Sequence, residues 1–325
     1  AGINTGVYNV VRSNTPFLGA KLDGYITPTQ HLSLTYFDTT HTNRTTSYAY
    51  TDSTQTIGAP SGYSVNNLGG ANWVLNYSGK VTDWFSISAA VGNSKDQNDV
   101  LPTDITSYYV VDNTSGTSKT ISAQKSASYT TDETERKFWR ADGDVRFDYL
   151  GHHHIRFGFD DEKNSMVKTT KLTGGVPVQY LWTLVGGVKY LRVTYENLGG
   201  NVSSENYAGY IQDSWDITPD LNLQIGVRND TFDQYNLSGE KYMHETGNWA
   251  PRLGFSWDPT GEGTWKLFGS VGANYIPPAM NLGYRGKDLY FREYFAAPTG
   301  GWVIDSTTGL PASVGSAVAV SSAYA

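Results

Sequence analysis

The residues of this chain that could do chemistry are few and mostly carboxylates, imidazoles and guanidiniums. His152, His153 and His154 form its single His cluster. On an extended strand His152 and His154 share a face, a spacing that a weak metal site could use. The plainer reading, a polar turn, outweighs it. Asp160, Asp161 and Glu162 offer carboxylates for acid–base work. A solvated charged rim at a strand end beside a long loop outweighs that role. Asp96, Asn98 and Asp99 offer oxygens to Ca²⁺ from a loop, but without the glycine and terminal Glu of an EF-hand. Gly261-Glu262-Gly263 is a turn, since no strand-to-helix context follows it. There is no Gly-x-Ser-x-Gly elbow. The chain has no Cys, which excludes disulfides, thiolate metal sites and Cys nucleophiles. The expectation is a non-enzyme with no catalytic residue, no metal ligand and no cofactor.

The remaining charged candidates are Arg140, Asp142, Asp144, Arg146, Arg156, Arg228 and Arg252. What they have in common is the element each sits on. Turn-forming clusters occur at Thr27-Pro28-Thr29-Gln30, Val81-Thr82-Asp83-Trp84, Tyr149-Leu150-Gly151-His152, Thr218-Pro219-Asp220 and Asp258-Pro259-Thr260-Gly261. Each is flanked by alternation of period two. Leu18, Ala20, Leu22, Gly24 and Ile26 share one face before the first turn. Trp139, Ala141, Gly143, Val145 and Phe147 alternate with Arg140, Asp142, Asp144 and Arg146 before the third. Leu221, Leu223, Ile225 and Val227 alternate with Asn222, Gln224, Gly226 and Arg228 after the fourth. Five such hairpins make about ten strands. A leading strand near 3–12 and pieces of the longer connections add a few more, for about 10–14 in all.

Alternation alone leaves two architectures open. A soluble sandwich buries its apolar face; a membrane barrel turns that face to lipid and keeps its polar face inside. Three features favour the membrane. Several apolar faces are small or mixed, as lipid permits. Aromatic residues gather at strand ends near the short turns (Trp84, Phe85, Phe147, Tyr149, Trp215, Trp257, Trp265), where an interfacial girdle belongs. The stretches at about 39–70, 94–136, 164–203 and 233–247 read as long Thr/Ser/Asn/Gly-rich loops, uncommon in compact soluble domains. Hydrophobic residues make up 38%, while Tyr reaches 23 and Trp 9, which suits strands wetted on one side. The net charge of −7 argues against nucleic acid. Residues 1–20 lack a basic start followed by an apolar core, so the chain reads as mature or as a fragment.

The segments 207–232 and 248–278 resemble the TonB-dependent outer-membrane receptors, in particular their Oar-like branch. The resemblance rests on Tyr207, Tyr210, Gln212, Asp213 and Trp215, then Thr218, Pro219 and Leu221, then Gly226 and Arg228. It continues through Asn248, Pro251, Arg252, Gly254, Phe255, Asp258 and Pro259. It implies a bacterial outer-membrane location and import of a scarce large solute. It also implies a TonB-type energy-transducing partner if the parent protein carries a plug. Neither a plug domain nor a TonB box is found, and the family closes its barrels at about 22 strands.

The fold expected is therefore all-β. It is an antiparallel transmembrane β-barrel of outer-membrane type, partial, with short periplasmic turns and long extracellular loops. The barrel portion spans 1–299, and 300–325 is a Gly/Ala/Ser-rich end without assignment. In the hairpin 207–232, Leu221, Leu223, Ile225 and Val227 point to lipid, and Gln224 and Arg228 to the lumen. The seven charged candidates are lumen-facing, with pairing between neighbouring strands weighed above contact with a solute. The expected partners are outer-membrane lipid, an unidentified solute and neighbouring outer-membrane proteins. The alternatives are a structural or adhesive outer-membrane surface protein and a soluble β-sandwich carbohydrate-active enzyme.

Overall fold

The structure, a computed structural model, describes residues 6–124, 126–174, 178–284 and 289–318. The chain begins with β1 (Val7–Asn14), β2 (Leu18–Thr27), β3 (Gln30–Asp38), β4 (His41–Thr51) and β5 (Thr56–Gly69). There follow β6 (Ala71–Lys80), β7 (Phe85–Pro102), β8 (Val110–Asp112) and β9 (Lys119–Thr120). The long strands come next: β10 (Ser128–Asp148), β11 (His152–Leu172), β12 (Val178–Val185) and β13 (Val188–Thr218). The last are β14 (Leu221–Tyr235), β15 (Lys241–Trp257), β16 (Leu267–Gly272), β17 (Leu289–Phe295) and β18 (Ala317–Val318). A single turn of 3₁₀ helix, Met280–Tyr284, lies between β16 and β17.

A wall of antiparallel neighbours runs β2-β3-β6-β7-β10-β11-β13-β14-β15-β16. All five sequence-predicted turns join hairpins of this wall. Their side chains make the turns. Asp258 accepts the amides of Thr260 at 3.0 Å and Gly263 at 2.6 Å, the local bonding that favours Asp there. At the third turn Gly151 has φ +121°, and a Cβ on it would meet the Asp216 carbonyl at 2.3 Å. Only glycine fits. Trp215 then reaches over, its Nε1 donating to the Leu150 carbonyl at 3.0 Å.

Register carries each apolar face across the whole wall. Phe85, Val145, Ile155, Asp213, Ile225, Leu253 and Val271 stand opposite one another in one row. Large apolar side chains of this face stay open: Leu253 and Val271 of the row are 53% and 71% exposed, and Leu22 on β2 is 69% exposed. A water-soluble sheet would cover them.

The longer connections differ from expectation. Segments read as loops are largely strand. β4 and β5 form a hairpin that β1 joins. β7 continues to Pro102, which puts Asp96, Asn98 and Asp99 in a strand and not in a loop. Asp99 there accepts the Asp132 amide at 3.1 Å. β13 is 31 residues long, about three times the 9–11 that cross a bilayer. Where both faces are wet, nothing enforces alternation. Runs of Thr, Ser and Asn then look like loops although Thr and Tyr are good strand formers.

The buried apolar cluster lies outside the wall. β8 and β9, β12 with the start of β13, and β17 with β18 form a second sheet, in which β8 runs parallel to β12. Val110, Trp182, Leu191 and Val193 are its buried centre, with Tyr108, Ile121, Phe295, Trp302 and Leu310 against them. Trp182 donates from Nε1 to the Gly309 carbonyl at 2.9 Å and meets Trp302 edge-on at 4.7 Å. Residues 300–318 thus supply one side of this cap; residues 319–325 fall outside the described part, as do residues 1–5 of the early segment.

Trp182→Ala is expected to cost the cap about 3–5 kcal/mol while the wall stays folded. Loss of cap resonances or protease resistance with unchanged heat-modifiable mobility on gels would show it. Asp104 gives a pH test. The Ser107 hydroxyl and the Thr106 and Ser107 amides hold its carboxyl down from 3.8 to about 2. A lowered pKa stabilises the turn fully above 3.8, and that contribution is lost as pH falls through about 2. A carboxylate carbon titration of Asp104 should have its midpoint near the lower value.

Candidate functional site

The charged candidates are built into the wall by register. Arg140, Asp142, Asp144 and Arg146 alternate along β10, opposite Asp160, Gly158, Arg156 and His154 of β11. Arg156 stands opposite Gln212, which faces Gly226, which faces Arg252. Arg228 is opposite Tyr210. All seven candidates therefore share one face, the one opposite to the apolar rows.

Their centre is Asp142, whose side chain is 1% exposed. It receives Arg140 Nε at 3.2 Å, Arg156 at 3.4 Å, Ser88 Oγ at 3.4 Å and the Tyr210 hydroxyl. Arg156 Nε also donates to the Tyr210 oxygen at 3.2 Å. Gly158 makes the convergence possible, because a Cβ there would lie 2.4 Å from Asp142 Oδ1 and 2.8 Å from the Tyr210 ring. Alongside, Arg228 grips Asp160 with two bonds of 2.9 and 3.1 Å and Asp230 with Nε at 2.9 Å. His154 Nε2 lies 2.9 Å from Asp144. Arg252 bonds the Asn274 side-chain oxygen at 2.9 Å. A hollow of about 410 Å³ opens between Arg140, Arg156, Asp160, Tyr210, Arg228 and Arg252.

The acidic triplet is not a solvated rim. β11 runs on to Leu172, so Asp160, Asp161 and Glu162 lie inside a strand. Asp160 binds Arg228, Asp161 accepts Trp139 Nε1 at 3.0 Å, and Glu162 pairs with Arg136. The strand turns Asp161 to one face and leaves Asp160 and Glu162 on the other, each held by an arginine. The His cluster is divided in the same way. His152 bonds Asp148 at 2.8 Å, His154 bonds Asp144, and His153 turns to the apolar face. Among the described residues no group of three or more His, Asp or Glu is placed to hold a metal ion.

Sequence reasoning missed Tyr210, Asp230 and Asn274 as members of the polar network. It missed Asp213 in another way: this carboxylate sits in an apolar row. Its Oδ2 lies 2.7 Å from His153 Nδ1, and the His153 ring is stacked between Phe147 and Trp215 at 4.9 and 5.0 Å. The alternation of Ile211, Asp213 and Trp215 was the available signal.

Asp142→Asn is expected to cost roughly 1.5–3 kcal/mol, because it removes the charged acceptor from several donors at once. Urea titration of the protein folded in lipid vesicles measures the loss. Ser88→Ala, which deletes one neutral donor, should cost clearly less.

Comparison with known proteins agrees with this geometry. The family model of TonB dependent receptor-like β-barrels matches residues 17–316. The TonB-dependent transporter Oar of Myxococcus xanthus is 32% identical over 80 residues, which is 25% of this chain and 8% of that protein. The crystal structure of the outer membrane transporter YddB from Escherichia coli superposes with a TM-score of 0.58 at 14% identity. That superposition covers 86% of this chain and 33% of the transporter, so the likeness is one of fold. The chain spans a minor part of both relatives. An open-faced wall of alternating strands, short turns on one side and a match over nearly the whole length place this chain in the TonB-dependent receptor-like β-barrel family, in the bacterial outer membrane.

Proposed function

We propose that the chain is wall and outer cap of a receptor that imports a scarce large solute, energised through a TonB-type protein. In this reading the polar face is the lumen wall, and Arg140, Asp142, Asp144, Arg146, Arg156, Arg228 and Arg252 line the passage. The observation that supports it is the sorting of charge: every one of these side chains shares the face opposite to the open apolar rows. A soluble sandwich with a carbohydrate-active site does not suit a family of receptors and transporters.

A second reading, a structural or adhesive surface role, draws on the cap. Its β12–β13 hairpin ends in Gly186 and Gly187 at φ +59° and +82°, with Leu184 45% and Val188 53% exposed beside them. Such an apolar tip suits a neighbouring outer-membrane protein. Deleting the gene of the full-length protein separates the two. Import predicts slower growth only when one nutrient is limiting, with wild-type uptake of that nutrient stopped by a protonophore. Adhesion predicts normal growth and lost attachment.

The lipid face has its own test. Leu223 stands level with Trp215 and Phe255 near the turns, whereas Val227 stands level with Ile211 and Phe157. From His153 to Asp161 the β11 stretch spans about 27 Å at roughly 3.4 Å per residue, and Phe157 is its middle. Val227→Arg should therefore cost roughly 2–4 kcal/mol, and Leu223→Arg only about 0–1. Equal costs in refolding into vesicles would contradict this placement of the bilayer.

A further inference from the structure

Beyond β16 the chain leaves the wall and crosses its polar face. Asn274 takes the bond from Arg252, and Gln234 Nε2 donates to the Pro278 carbonyl. A Cβ on Gly283 would meet Tyr235 and Val202 at 3.1 Å, so the 3₁₀ turn sits close on the wall. Three adjoining hollows of about 580, 410 and 230 Å³ all have Arg252 in their lining; Asn274 of the strap lines the first, and Asn274, Tyr275 and Pro277 line the third.

Two features together set Arg252 apart, since Arg146, which also has no ion pair among the described residues, lines none of these hollows. Its cross-strand neighbours are Gly226 and Gly272, which leave the floor around the guanidinium open. Its charge is also unanswered. Arg140 and Arg156 share Asp142, and Arg228 holds Asp160 and Asp230. Arg252 has the neutral Asn274 and, among the described residues, no carboxylate within 4.0 Å. Around it stand neutral donors and acceptors, Gln212, Gln224, Ser214 and Ser270. Toward the strap Phe232, Ala250, Tyr275 and Pro277 share the lining with Asp160, Asp230 and Glu162, carboxylates already held by Arg228 and Arg136.

A guanidinium offers two parallel N–H donors to a planar carboxylate or to a phosphate, and gains most where the other neighbours are uncharged. We infer that Arg252, under the 273–284 strap, is the anchor of a subsite for an organic anion: a carboxylate or phosphate head on the guanidinium, and an apolar body against Phe232, Tyr275 and Pro277. The assignment rests on the reading of the polar face as lumen wall.

The test uses the full-length protein in detergent, titrated with benzoate, phenyl phosphate and the neutral benzyl alcohol, with saturation-transfer NMR as readout. Either or both anions should bind, and the alcohol should not. Arg252→Gln should weaken the anion about tenfold, the loss of one charge-assisted contact. Arg252→Lys should retain part of the affinity, and Arg12→Gln, on exposed β1, all of it. Each variant must keep heat-modifiable mobility, which reports the folded barrel. Equal affinity in wild type and Arg252→Gln, or binding of the alcohol as tight as of benzoate, overturns the subsite; so does absence of anion binding to the folded wild type. The lumen reading is checked apart from this. Gln224→Cys on the same face should react with a water-soluble maleimide, and reaction with a lipid-soluble one alone would overturn the lumen reading itself.

Discussion

The backbone ladder is the constraint on which everything else in this chain rests. In hydrocarbon no water is available to an unpaired N–H or C=O, so a spanning segment must satisfy each of them internally. The wall from β2 to β16 does so strand by strand, its hairpins closed by connections of two residues at 28–29 and 219–220 and of nine at 258–266. Register follows from the ladder. A slip of one residue would carry Leu221, Leu223, Ile225 and Val227 to the polar face and drive Arg228 into lipid. Among the described residues β2 and β16 each pair on one side only. In hydrocarbon the same rule asks that both of those edges be paired.

Once the apolar side chains face outward, the charges have nowhere to go but the other face, and there they must answer one another. Asp142 shows how far this goes: a carboxylate almost without exposure is tolerable because two guanidiniums, a phenol and a hydroxyl converge on it. Glycine at 158 provides the room. The network therefore needs β7, β10, β11 and β13 at once, and it fixes their mutual register as well as their charge balance.

The wall was legible in the sequence because lipid on one side and polar groups on the other impose period two. Turn chemistry marked where each hairpin ends. The strands beyond the membrane were not legible for the same reason in reverse. With water on both faces, β4, β5 and the outer parts of β7 and β13 lose their alternation, and their Thr and Asn read as loop. The cap escaped because its centre is assembled from Val110, Trp182, Leu191 and the 300–318 stretch, which are far apart in the chain and form no local period. Of the polar face, the arginines were legible from β10 and β14. Their partner Asp160 was not, because a strand end was placed where β11 in fact continues, and Asp230 was not, because it lies beyond the alternating run of β14 that ends at Arg228.

Asp213 stands on the apolar face and yet obeys the same rule. A bare carboxylate in a lipid-facing row would be costly. Here it is side by side with an imidazole whose other nitrogen, Nε2, lies 2.9 Å from the Tyr149 carbonyl. Both ring nitrogens of His153 thus have an oxygen within hydrogen-bond distance. The contact is closed above and below by Phe147 and Trp215, with the acid 22% and the imidazole 13% exposed. It lies one row inward from the turn-side aromatics, at the depth where interfacial rings already mix with polar groups. The pair also ties β11 to β13 next to the tight third turn, where Trp215 holds Leu150. Polarity on the outer face is admitted only where rings and a bonded partner take the place of water.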